Sequence, residues 1–101
     1  MDLFKKTFQK SKFVLSRPVA DKMIIIPTSG KKQDLEKIYA LSGSGVRIWG
    51  LLDGKKSLSR IRDLMLREFD VTSAQLEKDM VSFIGELENK EFITEGVGNK
   101  K

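Results

Sequence analysis

The chain contains no cysteine, no histidine, only two prolines and a single tryptophan in 101 residues. Without cysteine there is no disulfide, thiolate ligand or thiol nucleophile. Without histidine there is no imidazole ligand and no side chain whose ordinary pKa lies near neutrality. Most hydrolase and metalloenzyme chemistry is thereby removed. Long apolar runs are missing too: the longest aliphatic stretch is Met23-Ile24-Ile25-Ile26, against about 20 residues for a bilayer span. Residues 1–8 carry lysines but neither the apolar region nor the small-residue cleavage site of a secretory signal. The expectation is a cytoplasmic protein with no membrane partner.

A chain of this size buries roughly 60–68% of its unfolded surface, enough for one core and not two. The net charge is +5, which ordinarily prompts a nucleic-acid hypothesis. Its position argues otherwise. Lys5, Lys6, Lys10 and Lys12 against Asp2, together with Lys100 and Lys101, account for the whole excess, and residues 13–99 hold 13 basic and 13 acidic side chains. Residues 71–99 carry Lys78 and Lys90 against Glu77, Asp79, Glu86, Glu88, Glu91 and Glu95, a net of −4. The expected organisation is a basic N-terminal arm over 1–12, a folded domain over 13–95 and a flexible tail over 96–101.

Within that domain, Phe13-Val14-Leu15 and Val19-Ala20 around Pro18, and Met23 to Ile26 before Pro27, read as two short strands limited by prolines that cannot donate to a ladder. A third, around Ile38-Tyr39-Ala40-Leu41, contains no proline and so offers a complete row of backbone donors and acceptors. Val46, Ile48, Trp49, Leu51 and Leu52 then describe a short amphipathic helix stopped by Asp53-Gly54. Ser57 caps a second helix, which buries Leu58, Ile61, Leu64, Met65 and Phe69. Thr72-Ser73-Ala74-Gln75 has the form of a capping box, with Val71 and Leu76 spaced as a hydrophobic staple. From there Leu76, Met80, Phe83, Ile84 and Leu87 trace the stripe of a third and longest helix to about Lys90. Phe92-Ile93 ends the domain as a short extended stub. The fold class is therefore α+β, winged-helix-like, with a three-stranded antiparallel sheet followed by three helices.

No residue pattern carries catalysis. Trp49 lies on an apolar helix face and reads as core. Asp79 with Glu86, or Glu77 with Glu88, sit on a solvated helix rather than in an apolar pocket suited to acid/base work. Ser42-Gly43-Ser44-Gly45 lacks the lysine and hydroxyl of a phosphate-binding loop and reads as a helix entry. A winged-helix nucleic-acid binder is the alternative that fold order and basic termini support. Its recognition helix would be acidic, however, and DNA binding draws on phosphate neutralisation. No enzyme activity and no cofactor or metal are expected.

Ile38-Tyr39-Ala40-Leu41-Ser42 and Val46-Arg47-Ile48-Trp49-Gly50-Leu51-Leu52-Asp53-Gly54 resemble the PqqD-like family, the small proteins and domains also called RiPP recognition elements. Ser57 to Asp70 is similar to the family's second helix, and Asp79-Met80-Val81-Ser82-Phe83-Ile84-Gly85-Glu86-Leu87 to its third. The similarity covers roughly 34–93. It departs at Ser42, where the family usually has asparagine, and at the flexible Gly43-Ser44-Gly45. The resemblance implies a non-catalytic adaptor that captures the leader region of a ribosomally made precursor peptide. It presents that peptide to a modifying enzyme, either a radical S-adenosylmethionine enzyme or a leader peptidase. The leader adds as an antiparallel strand beside the third strand, against the third helix. Strand-side contacts are expected at Leu35, Lys37, Ile38 and Tyr39, with side-chain parity open by one residue. Helix-side contacts are expected at Asp79, Ser82, Phe83 and Glu86, in preference to the flank of Val81 and Ile84. Phe83 as plain core and Asp79 as plain surface is the competing reading. An open strand edge also permits self-pairing, so a homodimer is compatible with the same feature.

Overall fold

The computed structural model describes residues 3–28 and 38–96. β2 (Val14–Val19) and β3 (Lys22–Pro27) form an antiparallel hairpin, with register pairs from Val14↔Pro27 to Val19↔Lys22. β4 (Tyr39–Leu41) then pairs antiparallel with β3 on its other side, Ile25 opposite Tyr39 and Met23 opposite Leu41. The sheet order is β2-β3-β4. Pro18 is tolerated inside β2 because that strand lies at the sheet edge, where a missing N–H breaks no ladder on the open side. β4 is shorter than the proline-free run suggests, and the expected contacts Leu35 and Lys37 lie outside the described residues.

Three helices follow as expected: α1 (Ser44–Leu51), α2 (Leu58–Glu68) and α3 (Ser73–Asn89). The Ser57 oxygen accepts from the Arg60 amide, and the Thr72 oxygen from the Gln75 amide, so both N-caps act as their chemistry dictates. The reciprocal half of the capping box is not made. The Gln75 side-chain amide instead donates to Asp79 Oδ1 at 2.9 Å, one helical turn on.

The N-terminal segment departs most from expectation. It is no frayed arm: after a 3-10 turn over Leu3–Lys5, Thr7–Lys10 forms β1, the central strand of a second sheet. Its neighbours are β5 (Asp53–Ser57), which fills the link between α1 and α2, and β6 (Ile93–Glu95), the extended stub after α3. Gly54 makes the β5 register possible. Its φ is +81°, and a Cβ there would stand 2.7 Å from Gln9 Oε1, so glycine both reaches the left-handed region and leaves room for β1. Lys10, expected to be solvated, is half-buried. Its Nζ donates to the Leu52 carbonyl at 3.0 Å and lies 5.4 Å from the Trp49 ring centroid, and burial pushes its pKa down.

One core joins both sheets to the helices: Phe8 and Ile93 from the second sheet, Ile25 and Leu41 from the first, Trp49, Ile61 and Met65 from α1 and α2, and Leu76, Met80, Ile84 and Leu87 from α3. Surface ion pairs tie the helices together. Arg47 makes two hydrogen bonds to Glu68 between α1 and α2, and Arg62 reaches Glu77 between α2 and α3 at 2.8 Å. Such exposed pairs are screened by solvent and add little, so the apolar core carries the stability.

α3 ends in a Schellman turn. The Phe92 amide donates to the Leu87 carbonyl at 3.0 Å and the Glu91 amide to the Glu88 carbonyl at 2.9 Å, with Glu91 at φ +65°. A glutamate there bears a left-handed backbone that glycine adopts freely. Glu91→Gly is expected to raise stability by about 1 kcal/mol in urea denaturation; an unchanged or lowered midpoint would refute that account. Phe8→Ala is expected to cost about 3–5 kcal/mol, because it empties a core position rather than trimming an arm. A midpoint like that of the parent chain would restore the arm.

Candidate functional site

The site begins with what β4 leaves undone. β3 satisfies one side of it, and among the described residues no strand pairs with the other. Along its outer side the chain therefore presents a row of backbone N–H and C=O groups open to another polypeptide. Alternation settles the open parity: Leu41 is buried and Tyr39 half-buried on the inner face, while Ile38 and Ala40 point to the other face. Ile38 immediately precedes the strand rather than forming part of it.

α3 stands across from this edge. Its apolar stripe is spent on the core through Leu76, Met80, Ile84 and Leu87. The neighbouring flank carries Asp79, Ser82, Phe83 and Glu86, of which Phe83 lies with Leu41 at the entry to α1 and Glu86 lies beside Tyr39. Tyr39 bridges the two elements. Its ring lies beside Glu86, and its pKa is raised first by burial and then by the hydrogen-bonding capacity and negative charge of that carboxylate. The Lys90 ammonium lies 5.1 Å from the Tyr39 ring centroid, and the Phe92 ring packs at 6.1 Å with a 59° tilt. Phe83 is half-buried against the core, its ring edge 3.5 Å from where a Cβ on Gly45 would sit. It therefore closes the trough at the entry to α1, beside Leu41.

Of the expected residues, the structure draws Tyr39, Phe83 and Glu86 together, with Tyr39 and Glu86 side by side. Asp79 and Ser82 are exposed on the same flank; Asp79 is held by the Gln75 side chain. Phe83 is neither pure core nor free surface, as its partial burial shows. Lys90, Phe92 and Gly45 were not anticipated as trough residues. Lys90 follows Glu86 by four and Phe83 by seven, so the helical period contained the signal. Phe92 is placed only by the Schellman turn, and Gly45 only by the packing of α3 over α1. Between β4 and α3 the half-buried Phe83 and Tyr39 offer apolar surface over the buried Leu41, with carboxylates along the helix and the Lys90 ammonium beside Tyr39. That combination suits holding an extended chain and offers no nucleophile or acid/base pair for bond breaking.

Comparison with known proteins agrees with this geometry. The family model described as Coenzyme PQQ synthesis protein D (PqqD) matches residues 27–93. No curated protein matches the sequence. A solved structure described as TbiB1 in complex with the TbiA(beta) leader peptide superposes with a TM-score of 0.71 at 27% identity, over 84% of this chain and 93% of that one. The matched segment takes in β4, all three helices and the trough between β4 and α3, and on that ground the chain belongs to the PqqD family.

Proposed function

We propose that the protein binds the leader region of a ribosomally made precursor peptide and presents it to a modifying enzyme, without catalysing a reaction itself. The observation that carries this reading is the outer edge of β4, unpaired among the described residues, beside the stretch of α3 whose Phe83, Glu86 and Lys90 reach Leu41 and Tyr39. Main-chain hydrogen bonds to β4 supply attraction common to any extended segment, and the trough supplies selectivity. An apolar leader side chain would meet Phe83 and Leu41; a basic or hydrogen-bonding one would meet Asp79 and Glu86. The similarity to a structure solved with a leader peptide supports leader binding as the role. Leu35 and Lys37 are proposed to extend the contact upstream of Ile38. The enzyme served is either a radical S-adenosylmethionine enzyme or a leader peptidase. The nucleic-acid alternative is disfavoured because the flank of α3 next to the trough carries Asp79 and Glu86, which repel phosphate.

Titration with the leader of a precursor encoded nearby is expected to give a micromolar or tighter constant, about −8 kcal/mol or better. Ile38→Pro removes a donor and fixes φ at the strand entry. It is expected to weaken that binding at least tenfold, whereas Arg47→Ala, on the far surface of α1, leaves it unchanged. Equal effects in variants with parent-like thermal melts would rule out strand addition.

Tyr39 is the only tyrosine in the chain, so phenolate absorbance reads this site alone. Its midpoint is expected above the ordinary 10.0 and should move down in Glu86→Gln. Because the folded-state pKa is raised, the associated stability is complete below the unfolded tyrosine range and is lost as pH rises through the folded value. Bound leader covers the ring and should move the midpoint further up. A midpoint indifferent to the leader would place the peptide elsewhere.

A further inference from the structure

We propose that the outer face of the β2-β3-β4 sheet, which faces away from the core, is the surface on which the modifying enzyme docks, through an apolar patch on that enzyme bordered by carboxylates. This rests on the adaptor reading above and assigns a second, separate surface to it. Directly opposed residues in an antiparallel pair share a face. The register therefore places Leu15 with Ile26, Arg17 with Ile24 and Ala40, and Val19 with Lys22 on one side. The other side carries Ile25 and Leu41 into the core. By alternation Phe13 and Ile38 extend the outer set.

This face is unusually apolar for one left in water. Phe13 is 52% exposed, Leu15 61%, Val19 50% and Ile38 42%, and Phe69 and Val81 are the other large hydrophobics among the described residues that stand so far out. Singly scattered apolar residues need no explanation, but a contiguous patch marks an interaction surface. A partner does not simply extend the sheet at β2, because Pro18 interrupts that edge's donors. The contact is made by side chains.

The charges specify the occupant. Arg17 stands between Leu15 and Val19, Lys22 lies opposite Val19, and the Lys12 ammonium sits 5.8 Å from the Phe13 ring centroid. Among the described residues none of these three cations has an ion-pair partner, and the turn contributes only Asp21 as an acid. A two-fold dimer through this face would gather Lys12, Arg17 and Lys22 of both copies into one interface with only Asp21 beside them to offset the charge. Pairing with the acidic flank of α3 on a second copy would be head-to-tail, giving a ring or a filament and covering on every copy the flank that the leader uses. A different protein with an apolar centre and an acidic border meets neither obstacle. Ala40 belongs to β4, so an enzyme seated here lies beside the leader as that peptide leaves the trough.

The test uses the full chain, its leader peptide and the purified modifying enzyme whose reading frame adjoins theirs. Leu15→Glu and Arg17→Glu are each expected to weaken enzyme binding at least tenfold while leaving the leader constant within twofold, which also reports intact folding. Enzyme affinity unchanged in both variants would overturn the proposal. So would a parent chain that sediments as a dimer and is dissociated by Leu15→Glu, since a second copy would then cover the face. Failure of the parent chain to bind its leader would overturn the adaptor reading instead, and the two failures are thereby told apart.

Discussion

A single core shared by two small sheets and three helices is the constraint on which everything else depends. α3 must give its whole apolar stripe to that core, because Leu76, Met80, Ile84 and Leu87 are the side chains that close it from one side. Having done so, it has left beside β4 a flank on which Phe83 is the one apolar residue among Asp79, Ser82 and Glu86, and such a flank does not seal a strand edge. The open edge thus follows from how little apolar surface a chain of this length can deploy. A larger domain would have had a further element to lay across it.

The same economy explains the second sheet. Phe8 and Ile93 are the side chains by which β1 and β6 reach the core, and β5 occupies a link that would otherwise be an idle turn. Tying the two ends of the chain and the α1–α2 link into one ladder fixes where α3 stops. That position matters, because the Schellman turn at Glu91 delivers Phe92 to Tyr39 and leaves Lys90 over the same ring. A stability device at the helix end is also the positioning device of the trough.

The two functional surfaces proposed lie on opposite faces of a three-residue strand. Inward, Tyr39 and Leu41 belong to the trough floor; outward, Ala40 joins the apolar face of the hairpin. A peptide added to the edge of β4 is therefore held between these two faces, and an adaptor needs this arrangement if it is to hold a guest and a client enzyme together. The charges follow the same division, with cations that have no ion-pair partner among the described residues on the hairpin and carboxylates on α3.

Helix starts, the α3 stripe, the burial of Trp49 and the α+β class were legible in the residues because each depends on neighbours a few positions away: Ser57 and Thr72 cap whatever follows them, and a 3.6-residue period needs no distant partner. The proline-free strand was legible in its composition, and the nearness of Tyr39 to the Phe83 and Glu86 side of α3 through the resemblance to a known family. Residues 7–10 and 53–57 were not legible as strands, since they lack alternating apolar residues and owe their conformation to pairing with segments far along the chain. Local chemistry therefore determined which elements exist. Only the tertiary structure decided which strand edge stays open, which flank of α3 faces it and which apolar face remains in water, because those outcomes are set by competition among distant segments for one core.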